Sequence, residues 1–411
     1  MMERKQVIVI GGGPAGLAAA VELYRQGITD VLVLEREATL GGILRQCIHD
    51  GFGLTRFGES LSGPEYAHRF ITQAQELGIP CLTNAAVTHI SPERVVTAVT
   101  REGLRCWQAD AVVLAMGCRE RTRGALGIPG ERPSGVFTAG VAQNYINLQN
   151  RMIGREVVIL GSGDIGMIMA RRLTLEGAHV QAVLEIQPYA SGLPRNVEQC
   201  LRDYDIPLLL SHTVTDIHGG SRLTGVTVSQ VDEKLQPIPG TETRYDCDTL
   251  ILSVGLIPEN ELSRDAGVEL DPHTQGALVD EWYQTGVPGI FSAGNVLHVH
   301  DLVDFVSLEA ERLAAAVARF VTGKGLPACP IEVHCGNGVG HVVPQRISGT
   351  GEVTLSLRVR TPFREKQVAV RQQGRLVASQ SLRKLLPAEM IQITLPADAL
   401  SGQEDVEVTV E

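Results

Sequence analysis

The chain has 411 residues with 36 basic and 47 acidic side chains, so its formal net charge is −11 at pH 7. This acidic balance argues against nucleic-acid binding, and no apolar stretch is long enough to cross a bilayer as a helix. The eight cysteines are scattered without a Cys-x-x-Cys pair. We therefore expect a cytoplasmic protein of two or three domains whose thiols are mostly reduced.

The N-terminal segment QVIVIGGGPAGLAAAVELYRQGITDVLVLE has the pattern of a nucleotide-binding unit: a hydrophobic strand, a Gly-x-Gly-x-x-Gly turn, a helix and a second strand. Gly11 permits the tight turn, Gly13 lets a pyrophosphate approach the backbone, and Gly16 lets helix and strand pack closely. The phosphates then bind at the positive end of the helix. Glu35 closes the second strand, where it can accept hydrogen bonds from the ribose hydroxyls.

The same pattern returns in EVVILGSGDIGMIMARRLTLEGAHVQAVLE, where each glycine of the turn and the closing Glu185 stand 150 positions after their counterparts. A 2′-phosphate would be repelled by Glu185, and no arginine lies among the three residues that follow it. This second site therefore favours NAD(H) over NADP(H). Two dinucleotide sites in one chain predict electron transfer between two dinucleotides.

The order of the elements predicts how the domains are arranged. Alternating strands and helices around both copies predict parallel sheets covered on both faces. Residues 248–325 provide strands and helices that the first nucleotide domain lacks. We therefore expect one discontinuous domain for the first nucleotide, made of residues 1–118 and 248–325. The NAD-binding domain, residues 119–247, is inserted between its two parts.

The C-terminal region has a different pattern. Segments such as VTLSLRVR alternate apolar and polar residues, which predicts half-buried antiparallel strands. Gly374 marks a hairpin between two of them. Residues 326–411 are therefore expected to form a small all-β domain that serves as an assembly surface.

Four motifs resemble the thioredoxin-reductase-like branch of the pyridine nucleotide–disulfide oxidoreductases: GGGPAG, Gly41-Gly42, VVLAMG ending at Gly117, and TGVPGIFSAGN ending at Asn295. The resemblance covers about residues 1–325. It implies an α/β fold of two Rossmann-like domains of the three-layer ββα type, with FAD in the first and NAD(H) as co-substrate in the second. Asn295 stands where the superfamily usually has Asp.

A closer resemblance extends over nearly the whole chain. GCRERTRGALGIPG, PRNVEQCL, SVGLIPENELS and GNVLHVHDLVD look like the FAD/NAD-dependent oxidoreductases found beside a glycerol-3-phosphate-dehydrogenase-like flavoprotein. These are similar to the flavoprotein subunits of opine oxidases and hydrogen cyanide synthase. The resemblance implies one subunit of a multi-component dehydrogenase, which exchanges electrons with a partner flavoprotein of the glycerol-3-phosphate-dehydrogenase or amine/opine oxidase kind.

The fingerprints and the resemblance together assign cofactor-binding residues. Those expected to hold FAD are Gly11, Gly13, Pro14, Ala15, Gly16, Glu35, Arg36, Gly42, Val87, Ala115, Met116, Gly117, Gly294 and Asn295. Those expected to hold NAD are Gly161, Gly163, Asp164, Ile165, Gly166, Glu185 and Gly255.

The redox-active cysteine pairs of the resembled superfamily are missing. Aligned from Gly41-Gly42, the pair of the glutathione-reductase type would fall at Leu44 and His49, and neither is Cys. The Cys-x-x-Cys of the thioredoxin-reductase type does not occur between Cys118 and Cys247. Disulfide reduction by either arrangement is therefore excluded, and the cysteine spacing also gives no iron–sulfur site.

Two residues in GGILRQCIHDGFG are candidates for catalysis. Cys47 is either a thiol that touches the flavin ring or a packed apolar residue. His49, with Asp50, either supplies a proton or caps a turn.

Three further clusters have alternative interpretations. His298, His300, Asp301 and Asp304 are interpreted as a helix cap rather than a metal site, since no fourth ligand is identifiable, and we expect no bound metal. The arginines of Cys118-Arg119-Glu120-Arg121-Thr122-Arg123 bind an anion or form an interdomain hinge. Cys329, His334 and Cys335 are interpreted as structural.

The sequence thus predicts a flavin-mediated hydride relay between NAD(H) and a partner flavoprotein. The alternatives are a stand-alone NADH oxidase or small-acceptor reductase, and an FAD-holding scaffold or redox sensor. The chain is expected to work in an oligomer or a hetero-complex.

Overall fold

The computed structural model describes residues 2–397 and 399–411. Its contacts divide the chain into two compact units. The first consists of Met1–Cys118 and Pro258–Glu411, and the second of Arg119–Ile257.

The N-terminal part of the first unit begins with the predicted strand, glycine turn and helix. Pro14 occupies the first turn of the helix, where its missing N–H costs nothing. The elements are strands β1 (Glu3–Ile10), β2 (Val31–Leu34), β3 (Asp50–Phe52), β4 (Leu61–Ser62), β5 (Cys81–Leu82), β6 (Ala86–Ile90), β7 (Val95–Thr100) and β8 (Gly103–Leu114), helices α1 (Pro14–Arg25) and α2 (Gly63–Glu76), and a 3-10 helix at Gly42–Gln46.

The next elements lead into and out of the second unit. They are strands β9 (Cys118–Glu120), β10 (Val136–Thr138), β11 (Glu156–Leu160), β12 (His179–Glu185), β13 (Leu208–Leu210), β14 (His212–Gly219), β15 (Leu223–Gln230), β16 (Thr243–Tyr245), β17 (Thr249–Leu252) and β18 (Leu256–Pro258), helices α3 (Arg123–Leu126), α4 (Ala139–Asn147), α5 (Asp164–Leu175) and α6 (Pro194–Asn196), a π-helix at Val197–Leu201 and a 3-10 helix at Arg202–Tyr204.

The remaining elements return to the first unit and form the C-terminal β region. They are helices α7 (Glu261–Asp265) and α8 (Val303–Val321), a 3-10 helix at Gly294–Val296, and strands β19 (Ile290–Ser292), β20 (Ile331–Cys335), β21 (Val339–Val343), β22 (Arg346–Ile347), β23 (Val353–Val359), β24 (Phe363–Gln372), β25 (Arg375–Leu385), β26 (Ile391–Leu395) and β27 (Val406–Val410).

The main sheet of the first unit has the order β5-β2-β1-β8-β7-β6, with β19 beside β8. Strands β5, β2, β1, β8 and β19 run parallel, which confirms the α/β class. Strands β6, β7 and β8 are antiparallel, because only short turns join them and a parallel pairing needs a long crossover. The expectation of purely parallel sheets was therefore wrong for this edge.

Alanine-rich faces bring helices α1 and α8 together. Ala18 and Ala19 on α1, and Ala310 and Ala314 on α8, are completely buried. Small side chains allow two helix backbones to approach closely, and interaxial distances depend on the residues at the contact. The close packing places the start of α8 beside the first glycine turn.

The second unit contains a five-stranded parallel sheet with the order β10-β17-β11-β12-β13. A three-stranded antiparallel sheet, β14-β15-β16, belongs to the same unit. Strand β17 pairs with both β10 and β11, so the unit continues to Ile257. The predicted inserted domain, 119–247, wrongly left β17 outside this unit. The sequence could not show this, because a short apolar run does not reveal which sheet its strand joins.

The C-terminal strands form two sheets, β22-β20-β27-β24-β25 and β21-β23-β26, around a separate apolar core. The predicted strand VTLSLRVR is β23, which is antiparallel to both neighbours, and the hairpin at Gly374 is confirmed between β24 and β25. This region shares the first unit because polar contacts join it to earlier residues, among them Ser348 with Glu281 and Arg358 with Asp301.

None of the helices in the described part of the chain has the length and apolarity that a membrane crossing requires.

The Phe291→Ala variant tests the core of the first unit. Phe291 in β19 is completely buried and packs edge-on against Phe320. Removing the ring leaves a cavity, so we expect the free energy of unfolding to fall by about 3–5 kcal/mol. The matched control is Leu104→Ala, whose side chain is 68% exposed and whose loss should cost less than about 0.5 kcal/mol. Equal urea midpoints for the two variants would contradict this placement.

Candidate cofactor sites

The first glycine turn is built from backbone packed directly on backbone. Gly11 has a φ of +107°, and a Cβ at this position would collide with the carbonyl of Ala115. A Cβ on Gly16 would collide with the carbonyl of Gly11. The turn therefore accepts only glycine at these positions, and no side chain covers the backbone there.

Glu35 lies at the end of β2 and is almost fully buried. Its Oε2 accepts a hydrogen bond of 2.7 Å from the N–H of Gly12, and its Oε1 accepts one of 2.8 Å from the N–H of Glu37. Both bonds fix the carboxylate beside the turn. Each oxygen keeps further acceptor capacity, which suits the two hydroxyls of a ribose.

Two more segments meet the first turn. A Cβ on Gly42 would lie 3.0 Å from the Cα of Gly13, and a Cβ on Gly294 would lie 2.9 Å from the Cβ of Ala15. The backbone carbonyl of Gly12 also accepts a hydrogen bond from Gly41. The three segments form a backbone-lined groove, here called the cradle, which larger side chains would fill. A groove of this kind fits an extended dinucleotide.

The other residues assigned to FAD lie in the same unit. Ala115, Met116 and Gly117 follow β8, and Val87 lies in β6. Asn295 accepts a hydrogen bond of 3.0 Å from the N–H of His300. The remaining members are Pro14 at the start of α1 and the solvent-facing Arg36, which is 4.0 Å from Glu37.

The second unit repeats the first turn with different neighbours. Gly161 has a φ of +100°, and a Cβ there would collide with the carbonyl of Ser253. A Cβ on Gly166 would lie 2.7 Å from the carbonyl oxygen of Gly161. Ser253 therefore occupies the place that Ala115 has in the first unit.

A cavity of about 880 Å³ opens at this second turn. The predicted residues Gly161, Gly163, Glu185 and Gly255 line it. The structure adds lining residues that the motif did not identify: Ile186, Gln187, Ser191, Thr213, Thr215, Ser229, Ser253 and Val254. Among the described lining residues, Arg121 is the only basic side chain.

Glu185 is held more firmly than Glu35. Its Oε2 accepts hydrogen bonds from the N–H and hydroxyl of Ser162 and from the hydroxyl of Ser191, at 3.1, 2.6 and 2.7 Å. Its Oε1 accepts one from the N–H of Gln187. The carboxylate is thus fixed in the wall of the cavity.

Asp164, which was assigned to NAD, holds a neighbouring loop. Its Oδ1 accepts hydrogen bonds from the N–H of Leu193 and the amide of Asn196, at 2.8 and 2.6 Å. Ile165 and Gly166 follow it in the first turn of α5. Gly166 donates its N–H to the hydroxyl of Ser253.

A repeat of three residues could have identified Ser253 and Val254. Ala115-Met116-Gly117 follows β8, and Ser253-Val254-Gly255 follows β17. In both, the first residue bonds to the end of the strand that precedes the glycine turn, through Ile10 and Leu160. The two segments share the sequence pattern of a strand, a small residue and Gly.

Cys47 is half-buried. Its thiol donates to the carbonyl of Ile43 at 3.4 Å, and burial raises the pKa of this thiol to about 12. His49 bonds through Nδ1 to the neighbouring carbonyl of Asp50 and packs on Phe52. These contacts are local, and they do not decide between the two alternatives for either residue.

The arginines near residue 120 also have local partners. The guanidinium of Arg123 donates to four backbone carbonyls between Ile128 and Glu131, so it stabilises a turn. Arg121 lines the cavity and its N–H bonds to Gly255. No disulfide joins any of the eight cysteines in the described structure.

The predicted position of a carboxylate near the start of α8 is confirmed by Asp304 in the first turn, but the predicted side-chain cap was wrong. Helix α8 begins after Leu302 without a side-chain cap. Asp304 accepts hydrogen bonds from the N–H groups of Gly53 and Arg56, at 3.0 and 2.7 Å, so it holds the 53–56 loop. Asp301 pairs with Arg358 of β23. Long-range partners satisfy both carboxylates.

His298 and His300 surround Glu309 of α8, and all three side chains are buried. Burial opposes ionisation of Glu309, but the charges and hydrogen bonds of the two histidines outweigh it and hold the pKa of the carboxyl below its usual range. Burial lowers the pKa of His298. Glu309 also accepts a hydrogen bond of 2.7 Å from the N–H of Gly294.

Two glycine turns, each followed by a helix and faced by a buried Glu, define an α/β flavoprotein with two dinucleotide sites. Residues 5–318 match the family of pyridine nucleotide-disulphide oxidoreductases, and the chain belongs to this family. The family uses FAD and NAD(P)H. The chain is thus an FAD-dependent, NAD(P)H-linked oxidoreductase.

Its relatives include subunits of larger enzymes. The chain is 28% identical over 364 residues to the glutamate synthase [NADPH] small chain of Mycobacterium tuberculosis, covering 79% of this chain and 69% of the relative. It is 28% identical over 309 residues to the hydrogen cyanide synthase subunit HcnB of Pseudomonas aeruginosa, covering 70% and 66%. It therefore spans about two thirds of both relatives.

Solved structures share the fold. The chain aligns with the thioredoxin reductase of T. acidophilum at a TM-score of 0.62 and 23% identity, covering 79% of this chain and 100% of the other. The Lactococcus lactis thioredoxin reductase gives a TM-score of 0.63 at 22% identity, covering 78% and 99%.

Matched glycine-to-alanine substitutions test the roles of the two glycine turns separately. Gly16→Ala forces a Cβ into the carbonyl of Gly11, so we expect a colourless protein that has lost FAD. Gly166→Ala displaces the second turn, so we expect FAD to stay bound while reduction by NADH is lost. Absorbance spectra before and after anaerobic NADH measure both effects.

The controls are Gly286→Ala in the first unit and Gly220→Ala in the second, where an added Cβ meets nothing within 4 Å. Both should behave as the unmodified protein. Loss of FAD from Gly166→Ala but not from Gly16→Ala would reverse the assignment of FAD to the first turn and of NADH to the second.

Cys47 should be inert toward alkylation. A pKa raised to about 12 keeps the thiol protonated at pH 8, and the thiolate is the reactive form. After iodoacetamide treatment at pH 8, peptide mass spectrometry should find the exposed Cys106 labelled and Cys47 unlabelled. Rapid labelling of Cys47, or loss of flavin reduction in Cys47→Ala, would support the catalytic alternative.

Proposed function

We propose that the chain is a subunit that transfers electrons between NAD(H) and a partner flavoprotein dehydrogenase through bound FAD, without a redox-active disulfide. One observation supports this above all: two glycine-turn sites occur in a chain whose cysteines form no pair of either reductase type. Electrons that enter the flavin therefore have no thiol relay within the protein.

In this proposal the cradle of the first unit holds FAD. Gly11–Gly16 and Gly42 bind the pyrophosphate of FAD, and Glu35 binds its adenosine ribose. Gly294 and Asn295 contact its ribityl chain. The positive end of the α8 dipole would stabilise negative charge that develops on the flavin. When bound, FAD supplies the hydride and electron chemistry, and the protein supplies position and electrostatics.

The cavity of the second unit holds NAD(H) in this proposal. Gly161–Gly166 receive the pyrophosphate and Glu185 the adenosine ribose. A 2′-phosphate would lie against a buried carboxylate, and the described wall offers only one basic residue, Arg121. These features support a preference for NADH over NADPH.

The partner is proposed from the relatives and from the sequence resemblance. The glutamate synthase small chain and HcnB are named as parts of larger enzymes, and the sequence resembles subunits found beside glycerol-3-phosphate-dehydrogenase-like or amine/opine oxidase-like flavoproteins. The C-terminal β region is proposed as the assembly surface. The complex is proposed to work in the cytoplasm.

The nucleotide preference depends on Glu185. We expect Glu185→Ala to lower kcat/KM for NADH roughly 10- to 100-fold, as for loss of hydrogen bonds to a charged group, and to reduce the NADH-to-NADPH ratio. The control is Glu242→Ala, because Glu242 also lines the cavity but is exposed. Initial rates with both nucleotides provide the test. An unchanged ratio would remove Glu185 from ribose recognition.

The partner requirement is tested in the native host. A tagged chain purified at native abundance should carry FAD and retain a second flavoprotein in fixed stoichiometry, and the complex should couple NAD(H) turnover to oxidation of that partner's substrate. Rapid turnover of NADH with oxygen or a quinone by the isolated chain would instead favour a stand-alone oxidase. FAD that NADH fails to reduce would favour a scaffold.

A further inference from the structure

The residues that join the 3-10 helix at Gly294–Val296 to α8 have no regular secondary structure. This connecting segment, residues 297–302, comes directly after the turn that carries Gly294 and Asn295. A segment outside helices and strands keeps one conformation only where other groups bind its polar atoms. The partners of the connecting segment therefore determine how firmly Gly294 and Asn295 are placed beside the cradle.

Glu309 of α8 holds the first half of the segment. Its Oε1 accepts the N–H of Gly294 at 2.7 Å, and its Oε2 lies 2.7 Å from Nε2 of His298. Oδ1 of Asn295 accepts the N–H of His300 at 3.0 Å. All of these contacts come from the turn, the segment or the helix that follows it.

The second half is held by Arg358 of β23, which belongs to the C-terminal β region. Its Nη2 donates to the carbonyl of Val299 at 3.1 Å and to Oδ1 of Asp301 at 3.2 Å. Its Nη1 donates to the carbonyl of Pro387 at 2.8 Å. The same Oδ1 of Asp301 accepts the N–H of Met390 at 3.2 Å. One guanidinium therefore binds the connecting segment and the β region together.

These contacts are shielded from solvent. The side chains of Arg358 and Asp301 are only 15% and 8% exposed, and hydrogen bonds from a charged, planar guanidinium are strong and directional. Strand β21 adds a second contact, because the ring centres of His298 and His341 are 6.1 Å apart, within the range of an aromatic pair. The β region thus contacts the segment through both β21 and β23.

We propose that Arg358 is a positioning residue for FAD, which makes the C-terminal β region a part of the cofactor site as well as the proposed assembly surface. Arg358 fixes Val299 and Asp301, and so holds the segment that begins after Gly294 and Asn295. The inference rests on the proposed function in one respect, the placement of Gly294 and Asn295 at the ribityl chain. Arg358 acts through the segment and needs no contact with the flavin.

The test measures FAD binding by variants of the full chain. We expect Arg358→Gln to raise the dissociation constant of FAD about 10-fold, as for the loss of hydrogen bonds from a charged group. The reduction potential of the bound flavin should also shift, because its ring moves relative to the surrounding dipoles. Titration of the apoprotein with FAD gives the first quantity, and redox titration against a dye of known potential gives the second.

Arg358→Lys keeps a positive charge beside Asp301 but lacks the fork that spans the acceptors on Val299, Asp301 and Pro387. We expect a smaller change in the same direction for both quantities. If Arg358→Gln does not fold, Arg358→Lys alone decides the question.

Two controls separate positioning from stability. Arg360→Gln removes an exposed guanidinium that donates to the carbonyl of Val339 instead, so both quantities should stay unchanged. Leu355→Ala opens a cavity at a completely buried position of the same strand. It should lower the melting temperature without changing the affinity for FAD or the flavin potential.

Unchanged FAD affinity and potential in the folded Arg358 variants would overturn the proposal. Equal losses of FAD affinity in Leu355→Ala and Arg358→Gln would also overturn it, because lower stability would then explain both. The measurements use neither NADH nor a partner protein. A failure of the proposed electron transfer would therefore appear separately, in flavin reduction by NADH and in co-purification.

Discussion

The structure depends on close contact between backbones at the two glycine turns. Gly16 lies directly on the carbonyl of Gly11, and Gly11 lies on the carbonyl of Ala115. Any side chain there would separate the helix from the strands and remove the surface that we propose for the phosphates. The same contact between Gly161 and Gly166 organises the second unit. Glu35 and Glu185 add fixed charge at the edge of each turn.

The first turn is further supported from its far side. Gly294 packs on Ala15, and Glu309 holds the N–H of Gly294. The alanine faces of α1 and α8 make this approach possible, and Asp304 holds the 53–56 loop against the start of α8. Sequence-distant groups thus position a short turn, which suits a cofactor that must be held in one orientation.

Much of this was predictable from the sequence, for identifiable reasons. The glycine turns, both closing acids, the antiparallel strand VTLSLRVR and the Gly374 hairpin all follow from local patterns. Strand β17 was assigned to the wrong domain, and Asp301 and Asp304 to the wrong contacts, because their partners are distant in sequence. The hydrogen bonds that hold Asp304 come from residues about 250 positions earlier, and no local motif encodes them.

The absence of a thiol relay is the central claim, and an anaerobic NADH titration tests it most directly. A flavin without a redox-active disulfide accepts two electrons, so one equivalent of NADH per FAD should complete the loss of flavin absorbance. A protein with a flavin and a disulfide needs a second equivalent to reach full reduction. An end point at one equivalent supports the account, and an end point at two equivalents would contradict it.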